Sequence, residues 1–360
     1  MNTMEFPLDV TEQIAFRLRC LYRQYGYIQY RMSKFEEYDL YARNKDFLLS
    51  ENVITFTDLS GKLMALKPDV TLSIVKNSRD DAQSLQKLYY HENVYRVSKS
   101  TNAFREIQQV GLECLGNVDV YAVAEVLLLA AQSLKKISDD SVLEISHLGV
   151  MTALTDGLSG QQKADIFRCV GSKNLHEMAA ICQAAGVDQE RTALLQQLAS
   201  IGGAPETVLP KVKALLAGRV DTQPLEQLEQ ISEILKDTGC AIRIDFSVVD
   251  DIHYYNGIVF KGFVRGVPDA VLSGGQYDKL MQKMNRKSAA IGFAVYMDML
   301  ERLAWDDSAY DVDTVLLYDD SVSLAQIRAA TEALQGEGRS VAVYRQIPEG
   351  LRYREAKTVR

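Results

Sequence analysis

The run Phe104-Arg105-Glu106-Ile107-Gln108-Gln109-Val110-Gly111-Leu112-Glu113-Cys114-Leu115-Gly116 constrains this chain more than any other segment. In an extended strand alternate side chains share a face, so Arg105, Gln109, Gly111 and Glu113 point one way while Val110, Leu112 and Cys114 point the other. A polar stripe opposite an apolar one implies a sheet that covers a core with one face and lines a wet pocket with the other. Gly111, between Gln109 and Glu113, reads as the place where a ligand approaches the sheet. Tyr89 to Val97 supplies the partner strand across a polar loop.

The chain has 360 residues, 47% hydrophobic and 24% charged, enough for one large core and a smaller second one. Its formal charge of -8 and pI of about 5.2 argue against an extended phosphate-binding surface, because affinity for nucleic acid comes largely from Lys and Arg. No nucleic-acid partner is expected. Cys20, Cys114, Cys169, Cys182 and Cys240 form no C-x-x-C pair, so neither a disulfide framework nor a zinc site is suggested. No metal or cofactor is expected. Met1 to Val10 lacks a basic segment followed by an apolar run, and no stretch has the apolar length to span a bilayer. The expected location is the cytoplasm, with no membrane partner.

Thr11 to Tyr25 carries apolar residues at helical spacing, with Thr11 read as the N-cap. A strand near Tyr27 to Tyr30 follows. Val53 to Thr57 and Leu63 to Leu66 flank Asp58-Leu59-Ser60-Gly61 as a hairpin, and Pro68 is placed at the first position of the next helix. Val120 to Ile137 is a strongly apolar helix. From about 154 to 238 the pattern is helical, broken at Gly171, Gly186, Gly202-Gly203 and Gly218, and reads as an inserted lobe. Strands return at Ala241 to Val249 and Tyr255 to Val264, and a buried helix is expected from Phe293 to Ala304. The acidic stretch Asp306-Asp307 to Asp313 reads as a linker. Beyond it Thr314 to Tyr318, Leu324 to Leu334 and Ser340 to Tyr344 spell a short β-α-β unit. The fold class is α+β, an antiparallel sheet split by a helical insertion, with domains expected at 1–310 and 311–360.

Four segments carry candidate chemistry. Leu66-Lys67-Pro68-Asp69-Val70-Thr71 offers a carboxylate and a hydroxyl, which suit an ammonium; alone, it equally describes a capped helix start. Gln109 and Glu113 sit on the polar stripe. Tyr254-Tyr255-Asn256-Gly257 and Ser273-Gly274-Gly275-Gln276-Tyr277-Asp278 place Tyr255 and Tyr277 as aromatic walls with hydroxyls. The order and spacing of these segments, with Gly292 to Leu300, resemble the closing motifs of histidyl-tRNA synthetases. The resemblance covers roughly Pro7 to Leu303 and implies a class II aminoacyl-tRNA synthetase-like sheet flanked by helices. It implies that Asp69, Thr71 and Gln109 hold the ammonium of histidine, that Glu113 meets the imidazole, and that Tyr255 and Tyr277 complete the pocket. Arg96, Arg105 and Tyr254 are the further pocket candidates.

The departures from that family fall on its phosphate chemistry. Asp250 stands three residues before His253, where the synthetases carry an arginine facing carboxylate and phosphate. An aspartate there repels both groups. Tyr296 and Met299 replace the second glycine and the arginine of the third motif, and a thioether cannot bind phosphate. Arg302 lies three residues further on, too far round a helix to substitute. In the second motif Arg96 is retained, Ser98 replaces an acid, and the loop Lys99 to Ala103 is one residue short.

A synthetase-like chain with a damaged nucleotide site and an incomplete C-terminal unit resembles the regulatory subunits of ATP phosphoribosyltransferase. The resemblance implies a non-catalytic chain that partners a short catalytic subunit in a hetero-octamer, dimerises with itself, and responds to L-histidine in the first step of histidine biosynthesis. Histidine is then bound either in the synthetase-like pocket or at the interface with the catalytic subunit. Two other functions stay open: an active histidyl-tRNA synthetase with unusual motifs, and a scaffold that binds no small molecule.

Overall fold

The computed structural model describes residues 9–48, 53–81, 83–98, 101–249, 254–303 and 310–359, leaving aside the side chains of Asp46 and Arg302. The substitution at Asp250, the neighbouring His253, the Arg302 side chain, Lys99 in the second-motif loop and the acidic Asp306-Asp307 lie outside the described residues. The chain divides into two compact units, Met1–Leu303 and Ala304–Arg360.

In the first unit the described residues form a sheet of nine strands: β1 (Ile28–Gln29), β2 (Leu85–Val97), β3 (Phe104–Gly116), β4 (Ser141–His147), β5 (Gly202–Gly203), β6 (Ala241–Asp245), β7 (Ile258–Val264), β8 (Leu272–Gln276) and β9 (Ala289–Tyr296). Their spatial order is β1-β2-β3-β9-β8-β7-β4-β6-β5. The run from β2 to β4 is antiparallel throughout, while β1 joins β2 and β6 joins β4 in parallel. This is the expected α+β sheet, with β2 and β3 as its long hairpin.

One face of the sheet is closed by α1 (Val10–Gln24) and α3 (Val120–Ile137). The apolar side of β3, Val110, Leu112 and Cys114, is fully buried in this core with Ile291, Phe293 and Val295 of β9. The α1–α3 seam includes the polar contacts Tyr22 Oη to Ser133 Oγ at 3.0 Å and, at the end of α1, Gln132 Nε2 to Tyr25 Oη at 3.2 Å. Gly262 of β7 leaves room for α3, since a Cβ there would lie 2.7 Å from both Leu134 methyls. The helices Gly160–Gly171, Leu175–Ala184, Gln189–Ser200, Pro205–Leu216 and Gln223–Leu235 fill the interval read as an insertion.

Five local expectations are corrected. Asp9, not Thr11, caps α1: its carboxylate accepts from the Glu12 amide at 2.7 Å and Glu12 answers from its own side chain at 3.1 Å, while the Thr11 hydroxyl donates to Asp9. Pro68 does not open a helix. The helix α2 (Thr71–Asn77) starts three residues later, with the Asp69 carboxylate on the Leu72 amide at 2.8 Å. Phe293 to Tyr296 is the end of strand β9, and only Met297–Leu300 is α-helical. An unbroken apolar run such as Ala289 to Val295 has no period that separates a buried strand from a buried helix. The strands near Tyr255 and Val249 are also shorter than expected, β7 starting at Ile258 and β6 ending at Asp245.

The second unit holds parallel strands Val341–Tyr344, Val312–Leu317 and Tyr353–Thr358 in that order, with helix Leu324–Gly336. The last strand is missing from the expected β-α-β unit because Tyr-Arg-Glu-Ala-Lys-Thr shows no apolar alternation. Leu134→Ala, at a fully buried position, is expected to destabilise the first unit by about 2–5 kcal/mol. A urea unfolding midpoint within error of the wild type would show that α3 does not carry the core.

Candidate functional site

On the face of the sheet opposite α1 and α3 lies a cavity of about 430 Å³, lined from β2, β3, β7, β8 and β9 and from the loop that enters α2. The sheet supplies its floor by register. Gly111, Ala294, Ser273 and Lys261 form one row across β3, β9, β8 and β7, and Glu113 and Gly292 begin the next.

Glu113 is the centre of the site. Its side chain is 2% exposed, and both carboxyl oxygens are held: Thr71 Oγ1 donates to one at 2.8 Å and Tyr277 Oη to the other at 2.7 Å. Burial pushes this carboxyl up to about 8, against the two hydroxyl bonds and with the help of the Asp69 charge. A Cβ at Gly292 would overlap the carboxylate, so the glycine directly across on β9 is what admits it. The Thr71 hydroxyl gives its proton to Glu113 and keeps lone pairs for a donor such as an ammonium.

The loop carrying Asp69 and Thr71 is fixed from β2. Lys67, 1% exposed, pairs with Glu92 at 2.5 Å. The Tyr95 amide donates to the Lys67 carbonyl at 2.9 Å, and Arg96 Nε donates to the Pro68 carbonyl at 3.0 Å. Arg96 also faces Asp69. Burial raises the Asp69 carboxyl, with the Leu72 amide and the Arg96 charge opposing that rise.

Tyr254, Tyr255 and Tyr277 form the aromatic wall, with ring centroids 4.7 Å apart for Tyr254–Tyr255 and 5.7 Å for Tyr254–Tyr277. Gln109 lines the cavity at 4% exposure, and among the described residues its amide has no hydrogen-bond partner. Tyr296 lies at one wall with its hydroxyl 2.9 Å from Ser273 Oγ, and Met299 packs against the main core.

The structure thus brings Asp69, Thr71, Gln109, Glu113, Tyr255 and Tyr277 into one cavity, together with Arg96 and Tyr254. Arg105 is not among them; its side chain is 58% exposed and lies 3.9 Å from Asp298. The space at Gly111 is also differently used. A Cβ there would overlap the Phe293 carbonyl and the ring of Tyr90, so the glycine accommodates the β2 neighbour rather than a ligand. Tyr90, Lys261 and Asp269 line the cavity too, and the sequence motifs do not single them out. The one available signal for Lys261 is a lone cation inside the apolar strand Ile258–Val264.

This sheet and site define a protein of the histidyl-tRNA synthetase type, and the family model described as Histidyl-tRNA synthetase matches residues 8–300. An ATP phosphoribosyltransferase regulatory subunit from Caldanaerobacter subterraneus subsp. tengcongensis is 30% identical over 299 residues, 81% of this chain and 77% of the relative. The fold is also that of an ATP phosphoribosyltransferase regulatory subunit/histidyl-tRNA synthetase from Bacillus halodurans C, at TM-score 0.78 and 23% identity over 97% of this chain and 93% of that one. A chain of the ATP phosphoribosyl transferase (HisG:HisZ) complex from Thermotoga maritima aligns at TM-score 0.63 and 19% identity, covering 82% and 98%. The chain belongs to the histidyl-tRNA synthetase-like family of ATP phosphoribosyltransferase regulatory subunits.

A carboxyl raised from its ordinary 4.5 to about 8 binds its proton more tightly folded than unfolded. Its contribution to stability is therefore complete below pH 4.5 and is lost as pH rises towards 8. Glu113→Gln, which keeps the shape and removes the ionisation, is expected to gain on the wild type by on the order of a few kcal/mol between pH 5 and pH 8.5. Parallel stability-versus-pH curves for the two proteins would contradict the buried, protonated carboxyl.

Proposed function

We propose that this chain is the non-catalytic regulatory subunit that switches on a short ATP phosphoribosyltransferase catalytic subunit and makes it sensitive to L-histidine, using the Glu113 cavity as the histidine sensor. The relatives' names support the regulatory role, and the HisG:HisZ complex solved from Thermotoga maritima supports a catalytic partner. The reading extends to a hetero-octamer of regulatory and catalytic chains in which the regulatory chains dimerise, acting in the first step of histidine biosynthesis in the cytoplasm.

The observation that carries the sensor role is the pair of hydroxyls on the buried Glu113 carboxyl. A carboxyl fixed in this way, beside tyrosine rings in a cavity of small-molecule size, is built to share a hydrogen bond with a ring nitrogen such as that of an imidazole. The amide of Gln109 and the lone pairs of Thr71 serve the amino end.

The same cavity is poorly furnished for adenylation. Developing charge on a transferring phosphoryl group needs facing cations, and the described lining supplies Arg96, already bonded to Pro68, and Lys261 against three carboxyl groups. Tyr296 and Met299 take the third-motif positions with a phenol and a thioether. A sensor of this kind regulates when histidine binds two assembly states with different affinity.

Mixing the purified chain with a short-form catalytic subunit from the same source is expected to yield phosphoribosyl-ATP synthesis that neither chain shows alone, and histidine is expected to suppress it. Glu113→Ala in the mixture should retain activation and lose about tenfold in histidine sensitivity, the scale of one buried hydrogen bond. A mixture with no added activity contradicts the regulatory role. Unchanged sensitivity in Glu113→Ala places the sensor elsewhere, at the subunit interface.

A further inference from the structure

An α-amino acid is a zwitterion, and the groups assigned above receive its ring and its ammonium but not its carboxylate. Asp69, Thr71, Glu113 and Tyr277 are all acceptors or hydroxyls gathered at one end of the cavity. Arg96 stands at that end too, with Nε on the Pro68 carbonyl and its charge facing Asp69. A ligand carboxylate placed there would meet two acids.

The other end is different. One row of the ladder runs from Gly111, beneath Tyr90, across the cavity-lining Ala294 and Ser273 to Lys261, three strand spacings or roughly 14 Å. Its middle is kept low by side chains no larger than methyl and hydroxymethyl. That span is bridged by an extended lysine side chain and one amino acid the size of histidine together. Ser273 is tied to Tyr296 at 2.9 Å and forms a polar shelf beside the lysine. Among the described residues, the acids near Lys261 include Glu144, its cross-strand neighbour on β4, and Asp269 in the cavity lining. Glu144 is already paired with Arg243 at 3.5 Å.

We infer that Lys261 is the carboxylate-binding residue of this cavity, receiving the α-carboxylate of the bound amino acid from the strand floor. The inference rests on the reading of the cavity as a histidine site and adds its selectivity: the site takes an intact amino acid and discriminates against ligands that carry the same ring and amine without a carboxylate. A compact ammonium on a flexible stem suits this task, because it delivers charge without the fixed fork geometry of an arginine.

Calorimetric titration of the full chain with L-histidine and with histamine, its decarboxylated counterpart, tests this. The wild type is expected to bind histidine at least about tenfold more tightly than histamine, as one charge-assisted hydrogen bond provides. Lys261→Met should remove that preference while leaving histamine affinity within about threefold, and Lys261→Arg should restore part of it; Lys261→Gln serves as a second neutral variant. Equal weakening of both ligands in the neutral variants, or histidine affinity unchanged by them, overturns the assignment while leaving the Glu113 site standing. A wild type that binds neither ligand overturns the histidine reading and this inference together.

Discussion

A carboxyl group cannot be buried cheaply, and the site is organised around the one at Glu113. Removing it from water costs several kcal/mol unless it is protonated or hydrogen-bonded. Here it is bonded on both oxygens by hydroxyls that come from distant parts of the chain, Thr71 at the start of α2 and Tyr277 just after β8. Those two bonds require the loop before α2 to stand against β3 and the β8 end to stand over it. The buried Lys67–Glu92 pair and the Arg96–Pro68 contact meet the first requirement. The backbone bond from the Tyr277 amide to the Ala290 carbonyl at 3.0 Å meets the second. Gly292 then leaves the space in which the carboxylate sits.

The sheet separates the two tasks of the molecule. Its α1–α3 face is filled by Val110, Leu112, Cys114, Phe293 and Val295, which supply the apolar burial that stabilises the fold. Its other face is released from packing and carries polar side chains on a backbone that neighbouring strands hold rigid. Because each side chain in the floor is placed by strand register, the separation of Glu113 from Lys261 is set by the ladder rather than by a loop.

Much of this is legible in local sequence pattern. The alternation in β3 assigns Gln109 and Glu113 to one face and the core residues to the other, and the short motifs bring Thr71, Tyr255 and Tyr277 to the same place. What does not show there depends on neighbours in space. Gly111 lies beneath the ring of Tyr90, its cross-strand partner, which no reading of one strand reveals. Arg105 shares the polar stripe, yet its side chain is largely exposed and turned to Asp298. The Ala289–Tyr296 strand reads as partly helical because its run from Ala289 to Val295 holds no polar residue to mark a period of two. Lys261 escapes notice because a single cation in a strand is ordinarily an exposed one, and only the sheet order shows which cavity it reaches.

The proposed regulatory role requires a cavity that recognises histidine without handling a nucleoside triphosphate. Thermal unfolding of the purified chain with L-histidine alone and with magnesium-ATP alone tests it most directly, since a ligand that binds only the folded state raises the midpoint with its concentration. A rise with histidine and none with magnesium-ATP is expected. A rise with magnesium-ATP, or no response to histidine, would contradict it.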